Sequence, residues 1–124
     1  MEKYNIAIVD DSPLVRMHLR MLLDDCNCTL VFEAKNGNDC LIKMQDCQII
    51  PQLIISDIQM PLMDGYQTTT AIKKTWPLVK VLIFSAEDSQ HAVLMAKALG
   101  ADDFVSKLGD INNQLPKAIM TLLA

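Results

Sequence analysis

The chain has no apolar run approaching the ~18 residues of a membrane-spanning helix. No such span is expected. No cluster of lysine and arginine appears either, and the formal net charge is −4. A free-standing nucleic-acid binder usually shows a basic face, so no direct contact with nucleic acid is expected. A secretory leader is not legible, because charge begins at Glu2. His18 and His91 stand apart from any metal-ligand spacing and read as surface or helix-face residues. Cys26 and Cys28 form C-x-C, but no second pair at zinc-like spacing follows with Cys40 or Cys47. The expected state is four free thiols in a reducing cytoplasm. Repeats, low-complexity tracts and linkers are missing too. What is present is 124 residues, 51% of them hydrophobic, enough for one core and too apolar for disorder. Residues 1–124 are read as a single domain.

Short apolar runs alternate with helix-length segments. The runs are Ile6–Val9, Leu30–Ala34, Leu53–Ser56, Val81–Phe84 and Asp103–Ser106. The middle ones are rich in β-branched residues and do not alternate with polar ones, the pattern of parallel strands covered on both faces. Ser12 caps the first helix, and Pro13 suits its first turn. Val15, Leu19, Leu22 and Leu23 fall on one face of it. A second helix is predicted over about Asn38–Cys47, with Leu41, Ile42 and Met44 toward the core. A third is predicted over Tyr66–Thr75. A fourth covers Ser89–Leu99 with Gly100 ending it. A fifth covers Ile111–Leu122, with Ile111, Leu115, Ala118 and Leu122 on one face. Pro116 costs little near a first turn and kinks a helix interior. Five strands alternating with five helices predict an α/β fold, a (βα)5 flavodoxin-like three-layer sandwich with sheet order 2-1-3-4-5.

In a parallel sheet the residues just after the strands gather on one edge, where ligands bind. Here those residues are Asp10 and Asp11, then Asp57, Ser85 and Lys107. Three carboxylates this close do not all stay ionised without a cation, and hard oxygen ligands favour Mg²⁺ or Mn²⁺ over zinc. Lys107 and Ser85 suit an anion arriving at that metal, a phosphoryl group, with Asp57 as its acceptor. Each residue alone has an ordinary reading: a solvated loop, a helix cap, a surface lysine. The joint placement at separate strand ends carries the signal.

With these residues the chain resembles the receiver domain of two-component response regulators. The resemblance covers about Lys3 to Leu122, through "IVDDSPLVRMHLRMLL", "LIISDIQMPLMDGYQTTTAIK" and "VLIFSAEDSQHAVLMAKALGADDFVSK". It implies that Asp57 takes a phosphoryl group from a sensor histidine kinase or a phosphotransfer protein. Asp10, Asp11, Asp57 and the backbone carbonyl of Gln59 would hold Mg²⁺. Ser85 and Lys107 would bind the phosphoryl oxygens. Phe104 would follow Ser85 inward, and the face of the fourth helix, fifth strand and fifth helix would switch and engage an output domain or partner protein. The apolar fourth helix makes a homodimer or output contact there a reasonable hypothesis. Gln59 and Glu87 flank the site and are expected to tune hydrolysis. The chain itself would be no small-molecule enzyme, its phosphorylation and dephosphorylation being self-catalysed.

One departure from the family pattern is Leu108 where a proline usually follows the lysine. A trans bond is expected there, with a different loop and a less firmly aimed Lys107. Receivers joined to LuxR-type DNA-binding modules often lack that proline and begin similarly, which makes transcription one possible output, although no such module lies in these residues. A stand-alone or degenerate receiver, binding a partner without phosphorylation, is the alternative. A flavodoxin-like cofactor binder is disfavoured because acidic "DDSP" replaces a phosphate-binding loop. A small-substrate phosphatase is disfavoured because the chain is too short for a cap domain.

Overall fold

The computed structural model describes residues 3–124. Residues 1 and 2, including the Glu2 at which charge begins, lie outside the described residues. The elements run β1 (Tyr4–Val9), α1 (Pro13–Asp25), β2 (Cys28–Ala34), α2 (Gly37–Asp46), β3 (Leu53–Ser56), α3 (Gly65–Thr75), β4 (Lys80–Ser85), α4 (Gln90–Ala98), β5 (Asp103–Ser106) and α5 (Ile111–Leu123). All pairings are parallel, in the order β2-β1-β3-β4-β5. This is the predicted sandwich. No described helix is long and apolar enough to cross a membrane.

The sheet divides the core in two because successive strand side chains point to opposite faces. Ile6, Ile8, Leu53, Ile55 and Leu82 pack on the side of α1 and α5, with Leu19, Leu23, Leu115 and Ile119. Ala7, Val9, Ile54, Val81 and Ile83 pack on the other side, with Cys40 and Met44 of α2, Ile72 of α3 and Ala92 and Ala96 of α4. Both faces being covered is why these strands read as unbroken apolar runs.

Several expectations are corrected. Ile42 is exposed, because the buried face of α2 runs through Cys40 and Met44, four residues apart. In α5 the expected face holds, with Leu115 and Ala118 buried and Ile111 and Leu122 half-buried against the same cluster, and Ile119, not expected there, joins them fully buried. Pro116 sits inside α5, past its first turn, and so gives no N–H to the carbonyl of Asn112 four residues back. Strand β2 begins two residues earlier than the apolar run, at Cys28. Gly100, at φ +112°, ends α4 as expected. Its N–H reaches Lys97 O, and that of Ala101 reaches Ala96 O, the paired bonds of a Schellman motif.

Candidate functional site

Strand order brings the ends of β1 and β3 together at the centre of the sheet. Asp10 follows β1, with its N–H on Ala34 O at 3.0 Å, and Asp57 follows β3, with its N–H on Val9 O at 3.0 Å. Both side chains are buried; Asp11 is exposed. One carboxylate oxygen from each of Asp10, Asp11 and Asp57 lies within 4.8 Å of the others. Among the described residues this is the one such acidic cluster.

Lys107 closes the cluster from β5. Its Nζ lies 2.8 Å from Asp10 Oδ2 and 3.0 Å from Asp57 Oδ2, and 5.5 Å from the centroid of the Phe84 ring. The expected loosening of Lys107 by Leu108 is therefore not found. All described peptide bonds are trans, and the lysine is aimed by the sheet, through its N–H on Ser85 O at 2.9 Å. The other oxygens are held by amides: Ser12 N donates to Asp10 Oδ1 at 2.9 Å, and Ile58 N to Asp57 Oδ1 at 2.7 Å.

Burial pushes the Asp10 carboxyl above its ordinary range, against the lowering by Lys107 and by the Ser12 amide. Burial alone would lower the Lys107 ammonium, but its bonds to Asp10 and Asp57 outweigh that and raise it. The ammonium is thus fixed in its charged form between two carboxylates. It offsets part of their repulsion and leaves the cluster with net negative charge.

Ser85 ends β4 and is buried, and its Oγ accepts the Glu87 N–H at 3.0 Å. Gln59 and Glu87 meet directly, Nε2 to Oε2 at 3.1 Å. With Asp11, Asp64 and Tyr66 they line a cleft of about 520 Å³ beside the cluster. Phe104 is half-buried on β5 and lines a separate cleft of about 490 Å³ with Val93, Gln114 and Lys117. Leu94 of α4 is 61% exposed nearby in sequence. The structure therefore joins Asp10, Asp11, Asp57 and Lys107, sets Gln59 and Glu87 alongside them, and keeps Phe104 apart.

The loop after Asp57 returns tightly. Gly65 N donates to Ile58 O at 2.7 Å, and a Cβ on Gly65 would collide with the Asp57 carbonyl oxygen. Asp64 then caps α3, with Gln67 completing a capping box. Sequence reasoning did not single out Arg16, whose Nη1 donates to the Asp10 carbonyl at 2.6 Å, nor Phe84 beneath Lys107. No spacing rule signals a helix side chain reaching back to a strand-end carbonyl.

Residues 6–119 match the family model described as the response regulator receiver domain. The chain is 32% identical over 102 residues to the chemotaxis protein CheY of Thermotoga maritima, covering 82% of this chain and 83% of that protein. It is 35% identical over 117 residues to a protein-glutamate methylesterase/protein-glutamine glutaminase of Trichodesmium erythraeum, covering 92% of this chain and 33% of that protein. The chain thus spans about a third of the length of these methylesterase relatives. Among solved structures, a chain of the CheX–CheY complex from Borrelia burgdorferi superposes with TM-score 0.92 at 24% identity, over 99% of this chain and 91% of that one, and speaks for the fold alone. The signal receiver domain of a signal transduction histidine kinase from Syntrophus aciditrophicus superposes with TM-score 0.84 at 30% identity, over 97% and 89%.

Proposed function

The chain belongs to the response regulator receiver family of phosphorylation-based signalling, and we propose that residues 1–124 form one receiver whose phosphoacceptor is Asp57. The observation that carries this reading is the bridge of Lys107 between Asp10 and Asp57, with the Asp11 carboxylate in the same cluster. An all-oxygen donor set on an open edge fits Mg²⁺ or Mn²⁺, held by Asp10, Asp11, Asp57 and the Gln59 carbonyl. When bound, the cation neutralises charge on the transferring phosphoryl group.

A carboxylate oxygen of Asp57 attacks phosphorus, the P–N bond of a partner's phosphohistidine breaks, and its electron pair returns to the imidazole. The amide of Ile58 keeps the nucleophile oriented. Lys107, released as the Asp57 carboxylate becomes an acyl phosphate and loses its charge, pairs with a phosphoryl oxygen. Ser85 leaves the Glu87 amide to bond another, and Phe104 moves toward the vacated space. The pair Gln59–Glu87 borders the path of attacking water and sets the lifetime of the phosphorylated form. No catalysis on a small-molecule substrate is part of this reading.

The donor is a sensor histidine kinase or phosphotransfer protein. The output contact is the face of α4, β5 and α5, where Val93 of α4 lines the Phe104 cleft and Leu94 of the same helix is exposed; an output domain, a partner protein or a second copy meets it there. The acidic charge supports no direct nucleic-acid contact, and free thiols at Cys26, Cys28, Cys40 and Cys47 fit the cytoplasm. A receiver that only binds a partner is disfavoured by the assembled cluster. The test is intact mass after incubation with acetyl phosphate. One added phosphoryl group that needs both Mg²⁺ and Asp57, and is absent in Asp57→Ala, is expected. No gain in a folded protein would overturn the reading.

A further inference from the structure

Asp11 differs from its neighbours in the cluster. Asp10 is anchored at its N–H, at its carbonyl and at both carboxylate oxygens. Asp57 is anchored at its N–H and at both carboxylate oxygens. Among the described residues Asp11 has no side-chain hydrogen bond or ion pair, and it is exposed. Its carboxylate is aimed only by the backbone that carries it, and that backbone begins with the Asp10–Asp11 peptide.

The carbonyl of that peptide lies past the last β1 residue. It therefore has no sheet partner and needs a donor. Arg16 supplies one, Nη1 to Asp10 O at 2.6 Å. The guanidinium is itself held from behind: its Nε lies 3.3 Å from Glu33 Oε1 on β2, and Arg20 Nη1 grips the same carboxylate at 2.6 and 2.8 Å. A planar fork with donors on two sides spans carbonyl and carboxylate at once, which a lysine ammonium does not do from one position. The chain of contacts runs from the β2 carboxylate, through Arg16, to the peptide that orients Asp11.

We infer that Arg16 is a positioning residue of the acidic site: braced by Glu33, it fixes the Asp10–Asp11 peptide and so the place of the Asp11 carboxylate toward a divalent cation. The inference rests on the reading of the cluster as a cation site. Its sign separates it from electrostatics. A guanidinium near a cation site repels the cation, so removing the charge alone would tighten binding. Removing the positioning loosens it.

The experiment titrates Mn²⁺ into the full chain and reads the free ion by electron paramagnetic resonance, for wild type, Arg16→Met, Asp11→Asn and the double variant. Arg16→Met is expected to raise the Mn²⁺ dissociation constant about tenfold, the scale of losing a group that orients a ligand. In the Asp11→Asn background, where only the removed charge remains to act, it is expected to cause no loss and at most a slight tightening. Unchanged or tighter Mn²⁺ binding in Arg16→Met overturns the inference, and so does an equal loss in both backgrounds, because Arg16 would then not act through Asp11. Should Arg16→Met fail to fold, Glu33→Gln replaces it, with a smaller loss that again vanishes in Asp11→Asn; no loss overturns the inference. A wild type that does not take up Mn²⁺ overturns instead the cation-site reading beneath it.

Discussion

Replacing Lys107 by methionine keeps most of the side-chain length and removes the charge. In the metal-free protein this leaves Asp10 and Asp57 facing each other without a counter-ion. At contacts of 2.8 and 3.0 Å, each attraction is about 6 kcal/mol gross at an effective dielectric of ~20. Burying the ammonium costs several kcal/mol in return, and breaking a buried pair on one side costs about 3–5 kcal/mol net. For a chain of 124 residues, 1 kcal/mol moves Tm by about 4 °C, so Lys107→Met is expected to melt roughly 12–20 °C lower in EDTA at neutral pH.

Two further readouts make this specific. The deficit depends on pH. Burial already raises Asp10 above the ordinary 3.8, so the folded state keeps a proton that the unfolded chain has lost. Stability from Asp10 therefore falls as pH rises from about 3.8 through the folded pKa, and is flat beyond it. Lys107 works against that raising, so its loss moves the folded pKa of Asp10 further up and the deficit shrinks toward acid. The wild-type ammonium, whose pKa is raised above 10.5, contributes its stability below that value and loses it as pH climbs through the folded pKa. The second readout is Mg²⁺, which is expected to raise the Tm of Lys107→Met by more than that of wild type, because the ion replaces the missing charge and no longer meets a repelling one. Scanning calorimetry across pH, with EDTA or with Mg²⁺, reads all of this. Equal melting of the two proteins in EDTA would refute the electrostatic argument, and an equal Mg²⁺ gain would refute the coupling of lysine to cation.

Three other outcomes follow from the geometry. Gly65→Ala places a Cβ against the Asp57 carbonyl and Ile58 Cα, backbone atoms that cannot swing aside; a loss of about 1–3 kcal/mol by urea unfolding, with reduced phosphoryl incorporation, is expected. Gln59→Ala and Glu87→Ala are each expected to change the lifetime of the phosphorylated form while leaving Mn²⁺ affinity in place. Because the two side chains bond each other, their effects on lifetime in the double variant should not add, as intact-mass decay curves would report. Leu115→Ala, at a fully buried α5 position, should cost about 2–5 kcal/mol. Ile42→Ala, on the exposed face of α2, should cost under about 0.5 kcal/mol in the same assay.

The site was legible to the degree that the sheet decides it. Once the five apolar runs are parallel strands, Asp10, Asp57, Ser85 and Lys107 must emerge on one edge, whatever the helices do. The errors fall where no period constrains the answer. Ile42 lies in a helix of ten residues, too short for its apolar stripe to be unambiguous. The bond between Gln59 and Glu87 and the bond from Arg16 to Asp10 join residues whose separation follows no helix or strand repeat. The misjudged aim of Lys107 is the most instructive case. The expectation tied it to the residue that follows, Leu108, as though the loop held the lysine. In the structure the lysine is placed by what precedes it. Ser106 pairs with Ser85 in the ladder, the Lys107 N–H continues that ladder onto Ser85 O, and two carboxylates draw the ammonium inward. A substitution just after the lysine therefore reaches the α5 entry loop without reaching the cluster.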